Sequence, residues 1–197
     1  MTWGINVSGQ NFTVLYDACV LYPAPLRDLL VRLARMGVFR AKWTQQIHEE
    51  WIRNAVKNNP RLTRERLEQT ALKMNDAVMD SLVENYEPLI DGLTLPDVND
   101  RHVLAAAIKG QAEVIVTFNL KDFPKQQLQP FDIWVQHPDE FISHLIDLAP
   151  ETILLVVRQQ RLSLKNPPRT VDEFLDTLLR QQLPRTVAFL KQRKELI

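Results

Sequence analysis

A chain of 197 residues, 45% hydrophobic and 24% charged, can bury a full core, and its size fits one domain plus an appendage. Its 24 Lys and Arg balance 24 Asp and Glu, so no global basic field announces a nucleic acid, and its one cysteine, Cys19, cannot form an internal disulfide. No basic stretch leads into a long apolar segment near the N-terminus and no apolar run could span a bilayer, so the expectation is a cytoplasmic protein without a membrane role.

The neutral total hides a segregation along the chain. Residues 1–60 carry an excess of three positive charges, 61–100 five negative, 101–150 two negative and 151–197 four positive. An acidic middle with basic margins suits a metal centre flanked by phosphate contacts, although unrelated surface faces give similar numbers.

In chain order, Phe12 to Tyr22 is apolar or small except for Asp17, and its first half, TVLYD, reads as a short buried strand. Pro23 and Pro25 open a helix carrying Leu26, Leu29, Leu30, Leu33 and Ala34 at helical spacing, which Gly37 closes. A short strand from Val38 to Trp43 precedes a helix over 44–58. A third helix, polar on one side, is expected from Thr63 to about Tyr86. The segment LPDVNDRHVLAAAIKG reads as a capped helix ending at Gly110. EVIVTF is the most strand-like stretch, NLKDFP follows it, and FDIWVQ is another short strand before a helix beginning near Pro138. Strands alternating with helices predict a three-layer α/β/α fold with a mainly parallel central sheet. After Ala149 the pattern is helical only: about 151–163, a Pro167–Pro168 break, a capping box of Thr170 and Glu173, and a last helix near Pro184. The expected organisation is therefore a domain over 1–148 and a helical extension over 149–197.

Several carboxylates fall where such a sheet binds ligands, beyond the carboxyl ends of its strands. Asp17 is a lone acid in an apolar run, a position that needs compensation by a cation or by a cap to the next turn. Asp97 and Asp100 stand three apart at a helix start. Both could serve as caps, but Asp100 shares the stripe of Val103, Leu104, Ala107 and Ile108, so it faces the core. Glu49 and Glu50 flank an apolar stripe equally; Arg53 offers Glu49 a partner four residues on and leaves Glu50 freer. His48 lies on the apolar side of the same helix and reads as a packed, hydrogen-bonded histidine. Asn119 and Asp122 directly follow a strand, where they could hold a ligand or form a turn, and Thr117 could orient Asn119 or a bound water. Together these acids would repel one another without cations, and their hard oxygens suit Mg²⁺ or Mn²⁺. No Cys/His spacing for zinc, no Gly-rich phosphate loop, no GxSxG and no HExxH is present.

The segments VLYDACVLYPAPLRDLL, IHEEW, LPDVNDRHVLAAA and VIVTFNLKDFP, in this order over roughly residues 12–145, resemble those of the PIN-domain family of metal-dependent nucleases. Within that family the chain resembles the bacterial VapC-like toxins that carry an appended helical C-terminal segment, a likeness that HPDEFI and NPPRTVDEFL extend. The resemblance implies metal-binding and catalytic acids at Asp17, Glu50, Asp100 and Asp122, with Asp97 as a further metal residue and Asn119 and Thr117 beside them. Asn119 departs from the family, where many relatives have Asp; an amide can orient water but cannot neutralise charge. The implied reaction is cleavage of an RNA phosphodiester by metal-activated water, leaving a 5′-phosphate and a 3′-hydroxyl. Arg27, Lys42, Lys121 and Lys125 are candidates for contact with RNA phosphates. The resemblance also implies a small antitoxin protein as partner, and a homodimer. Two other readings stay open at this level: a catalytically silent RNA- or protein-binding module on the same fold, and a phosphatase of another α/β type.

Overall fold

The structure is a computed structural model and describes residues 12–197. The first eleven residues of the expected 1–148 unit lie outside the described residues.

Among the described residues four short strands form one sheet in the order β2-β1-β3-β4, and every pairing in it is parallel. They are β1 (Thr13–Tyr16), β2 (Arg40–Lys42), β3 (Val114–Val116) and β4 (Trp134–Gln136). Parallel strands need crossovers, and the chain supplies helices for each. After β1 come the single turn α1 (Ala18–Leu21) and α2 (Ala24–Arg35); after β2 come α3 (Gln45–Asn58), α4 (Arg64–Ala77) and α5 (Arg101–Lys109). The turn α6 (Lys125–Leu128) links β3 to β4. β1 and β3 are buried along their whole length, as all-apolar central strands of a covered parallel sheet must be. α5 contacts β1 and β3, and α2 contacts β2, so the sequence-level expectation of a parallel sheet flanked by helices holds.

α3 is anchored by two fully buried indoles. Trp43 Nε1–H donates to Asn75 Oδ1 at 2.8 Å, and Trp51 Nε1–H donates to His48 Nδ1 at 3.0 Å. His48 Nε2 lies 3.0 Å from the same Asn75 oxygen, so His48 is the packed histidine the periodicity predicts. Thr44 caps this helix by accepting from Ile47 N–H at 3.0 Å.

The third helix is shorter than its pattern suggests. It ends at Ala77, Asp80 adopts φ +57°, and the following segment runs beside β2: Trp43 N–H donates to Ser81 O at 2.9 Å and Val83 N–H to Trp43 O at 2.8 Å. Pairing with the end of a strand outweighs a few residues of helical propensity there.

The C-terminal helices are α7 (Pro138–Leu148), α8 (Pro150–Ser163), α9 (Val171–Arg180) and α10 (Pro184–Lys191). Thr170 and Glu173 form the expected reciprocal capping box of α9. α8 packs on α2 and α7, and α10 packs on α7 and α9. Asp139, buried on α7, accepts from Arg185 N–H at 2.8 Å and from Thr186 N–H and Oγ1 at 2.9 and 2.8 Å, capping α10 from a neighbouring helix. Gln160 Nε2 donates to Pro25 O at 2.8 Å, fastening α8 to the start of α2.

Candidate active site

β1 delivers Asp17 to the carboxyl edge of the sheet with its side chain only 5% exposed. Asp17 stands at the start of α1, yet it makes no side-chain cap there. Its Oδ2 instead accepts from the Thr117 hydroxyl at 2.7 Å and from the Cys19 thiol at 3.0 Å. The fully buried Thr117 follows β3 and accepts from Asn119 N–H at 3.0 Å, so one hydroxyl couples the end of β1 to the loop after β3. Burial, and then the Asp17 charge, push the Cys19 thiol well up, which keeps it a protonated donor.

Asp97 and Asp100 part company. Asp97 is exposed and its Oδ1 accepts from Asn99 N–H at 2.8 Å, so it caps the 3-10 turn Val98–Asp100. Asp100 leads into α5 without capping it. It is half-buried rather than enclosed in the core, and its carboxyl is pushed up to about 6 by burial first, then by the negative charges of Asp17, Asp97 and Asp122. Asp122 closes the 3-10 turn Leu120–Asp122, half-buried, while the side chain of Asn119 is exposed.

The two glutamates on α3 also separate. Glu49 pairs with Arg64 at 2.8 Å on the surface, where the sequence had suggested Arg53. Glu50 turns toward α5, with Oε1 at 3.0 Å from Nε2 of the buried His102. Glu50, Asp100 and His102 line one open cavity of about 630 Å³, together with Gln46, Arg53 and Asn99.

The fold therefore gathers Asp17, Thr117, Asp97, Asp100 and Asp122 into one electrostatic neighbourhood and sets Glu50 against Asp100 across a shared cavity. No three His, Cys, Asp or Glu side chains among the described residues form a finished metal-binding set. The donor chemistry nevertheless fits a hard divalent cation: the acids offer oxygen ligands, and the mutual repulsion that adds to burial in raising Asp100 is what a cation between them would relieve.

Of the four candidate phosphate contacts, two are engaged internally. Arg27 donates to Leu21 O at 2.6 Å, lies 4.3 Å over the Trp51 ring, and has its pKa pulled to about 10 by burial. Lys42 donates to the carbonyl of Asp80. Lys121 and Lys125 are exposed on either side of Asp122, with Lys125 5.3 Å from the Trp134 ring.

Sequence reasoning assigned no role at this site to Cys19 and His102. Each lies two residues beyond an acid already singled out, and the available signal was a polar side chain recurring in an otherwise apolar motif.

Comparison with known proteins bears on the same segments. The PIN domain family model matches residues 13–121, and that of the VapC50 C-terminal domain matches residues 138–192. A curated relative, "Putative ribonuclease VapC50" of Mycobacterium tuberculosis (strain ATCC 25618 / H37Rv), is 44% identical over 89 residues, which are 45% of this chain and 52% of the relative. The chain thus spans about half the length of the curated relative it matches. No solved structure matches the chain.

Proposed function

Because this chain belongs to the PIN-domain family, we propose that it is a metal-dependent endoribonuclease and the toxin of a toxin–antitoxin pair. The observation that carries this reading is the buried, uncapped Asp17, held by Thr117 beside an Asp100 that burial and then three other acids push up. A surface built only for stability would not concentrate like charges at the carboxyl edge of its sheet.

In this reading Asp17 and Asp100 hold a Mg²⁺ or Mn²⁺ ion, Glu50 and Asp122 complete the acidic site, and Asp97 adds charge from its rim. Such an ion, when bound, lowers the pKa of water and neutralises charge developing on a phosphodiester. The Thr117 hydroxyl keeps one Asp17 oxygen oriented and leaves the other outside that bond. Asn119, exposed beside it, offers an amide that orients water without adding charge. Lys121 and Lys125 flank Asp122 and supply positive charge for the flanking RNA phosphates.

We assign the nuclease chemistry to residues 1–148 and read 149–197 as a helical extension that covers the core and offers a surface to a small antitoxin protein or a second copy of the chain. Among the described residues no helix is long and apolar enough to cross a membrane.

Purified full-length protein should cleave RNA only when Mg²⁺ or Mn²⁺ is supplied, leaving 5′-phosphate ends, and Asp17→Asn should abolish cleavage. Equal cleavage by both proteins, or none by either across structured and unstructured RNAs, overturns the proposal in favour of a silent binding module. Growth arrest on expression, relieved by the same substitution, separates a toxin from a housekeeping nuclease.

A further inference from the structure

We infer that His102 is a positioning residue: its Nε2–H holds Oε1 of Glu50 so that the other oxygen of that carboxylate faces the cation site beside Asp100. The inference rests on the reading of Glu50 as a ligand.

His102 is 4% exposed on α5, and its neighbours on that helix, Val103 to Ala107, are all apolar and buried. A polar ring in such a place is costly unless it is used. Its Nε2 lies 3.0 Å from Glu50 Oε1, while its buried Nδ1 has no partner among the described residues. A carboxylate can only accept, so the ring proton belongs on Nε2 and Nδ1 keeps a lone pair.

Glu50 is steered from a second direction. Gln46 Nε2 reaches the same Oε1 at 3.4 Å, and Tyr86 O–H donates to Gln46 Oε1 at 3.1 Å, which fixes the amide. The Gln46 amide, as a hydrogen-bond donor, and the His102 ring, as a close contact, converge on Oε1, and Oε2 has no partner among the described residues. A glutamate has three rotatable side-chain bonds, and on its own it would sample many rotamers in an open cavity. The contact with His102 selects one of them and ties α3 to α5, the helix that follows Asp100. Groups that orient a metal ligand change metal affinity by roughly 10- to 100-fold when removed.

The test compares two amides of similar bulk. His102→Gln places its side-chain N–H₂ near the position of the lost Nε2–H, whereas His102→Asn is too short to reach Glu50. Mn²⁺ affinity is read by titration calorimetry on the full chain, with thermal unfolding of the metal-free proteins as a control on folding. The expected result is that His102→Asn weakens Mn²⁺ binding roughly 10- to 100-fold and that His102→Gln restores most of it. In a Glu50→Gln background, His102→Asn should add little further loss. Equal affinity in both His102 variants, whether unchanged or equally weakened, overturns the inference, as does a full additional loss in the Glu50→Gln background. If Glu50→Gln leaves Mn²⁺ affinity unchanged while Asp17→Asn and Asp100→Asn weaken it, the inference falls and the metal site stands. If Asp17→Asn also has no effect, both fall.

Discussion

The hydroxyl of Thr117 donates to a carboxylate that water barely reaches, and a hydrogen bond to a buried charge contributes more than one between neutral groups. Thr117→Val keeps the shape and removes the donor, leaving only the weaker Cys19 thiol on that oxygen. It should cost about 1–3 kcal/mol in urea unfolding of the metal-free protein, and an unchanged midpoint would show that the bond contributes nothing. Asp100 acts in the opposite sense. Burial and the neighbouring acids push its carboxyl up to about 6 in the folded chain from 3.8 ordinarily, so the folded state binds the proton more tightly than the unfolded state does. The stabilisation from that proton is fully present below the ordinary carboxylate range and is lost as pH rises through about 6. In chelator, melting temperature should therefore fall between about pH 4 and pH 7, and Asp100→Asn should flatten that fall; an identical slope in the variant would assign it to other groups. Such residues were partly visible in the sequence. Asp17 and Asp100 interrupt apolar patterns, and the structure shows that neither caps the helix it precedes. The difference between Glu49 and Glu50 was not visible, because it depends on Arg64 and His102, which lie on other helices.

At the scale of elements, helices were legible wherever local chemistry starts and stops them. Thr44, Thr170 with Glu173, and Gly37 at φ +71° mark boundaries that need no tertiary partner. The end of α4 needs one, since the backbone of Ser81 and Val83 pairs with Trp43 thirty-eight or more residues away along the chain. The cap of α10 is equally non-local, because Asp139 reaches it from α7. Asp139→Ala removes three accepted hydrogen bonds and a negative charge at a helix N-terminus, and strands the buried donors of Thr186. A loss of about 2–4 kcal/mol is expected by denaturant unfolding, with Asp139→Asn intermediate; a loss within error of zero would mean that α10 is held by packing alone.

For the whole molecule, the helices after residue 149 complete the core. Ile153, Val156 and Val157 on α8, and Phe174, Leu175 and Leu178 on α9, are buried, and both helices contact α2. Deleting 150–197 should therefore expose apolar surface on α2 and α7 and convert a cooperative transition into a broad one with dye-binding intermediates. A truncated chain that unfolds cooperatively at the full-length midpoint would show instead that the first unit is self-sufficient. The layered α/β class followed from the alternation of strands and helices, but how the last helices dock did not, because their apolar faces carry no address. The indoles under α3 give this architecture a built-in optical reporter. Trp43 and Trp51 are fully shielded and hydrogen-bonded through Asn75 and His48, and Trp51 is the residue after Glu50. Their emission should be blue-shifted in the native protein and move to the red as α3 and α4 separate, so with Trp3 and Trp134 replaced by Phe, fluorescence will follow the layer that carries Glu50 without any added label.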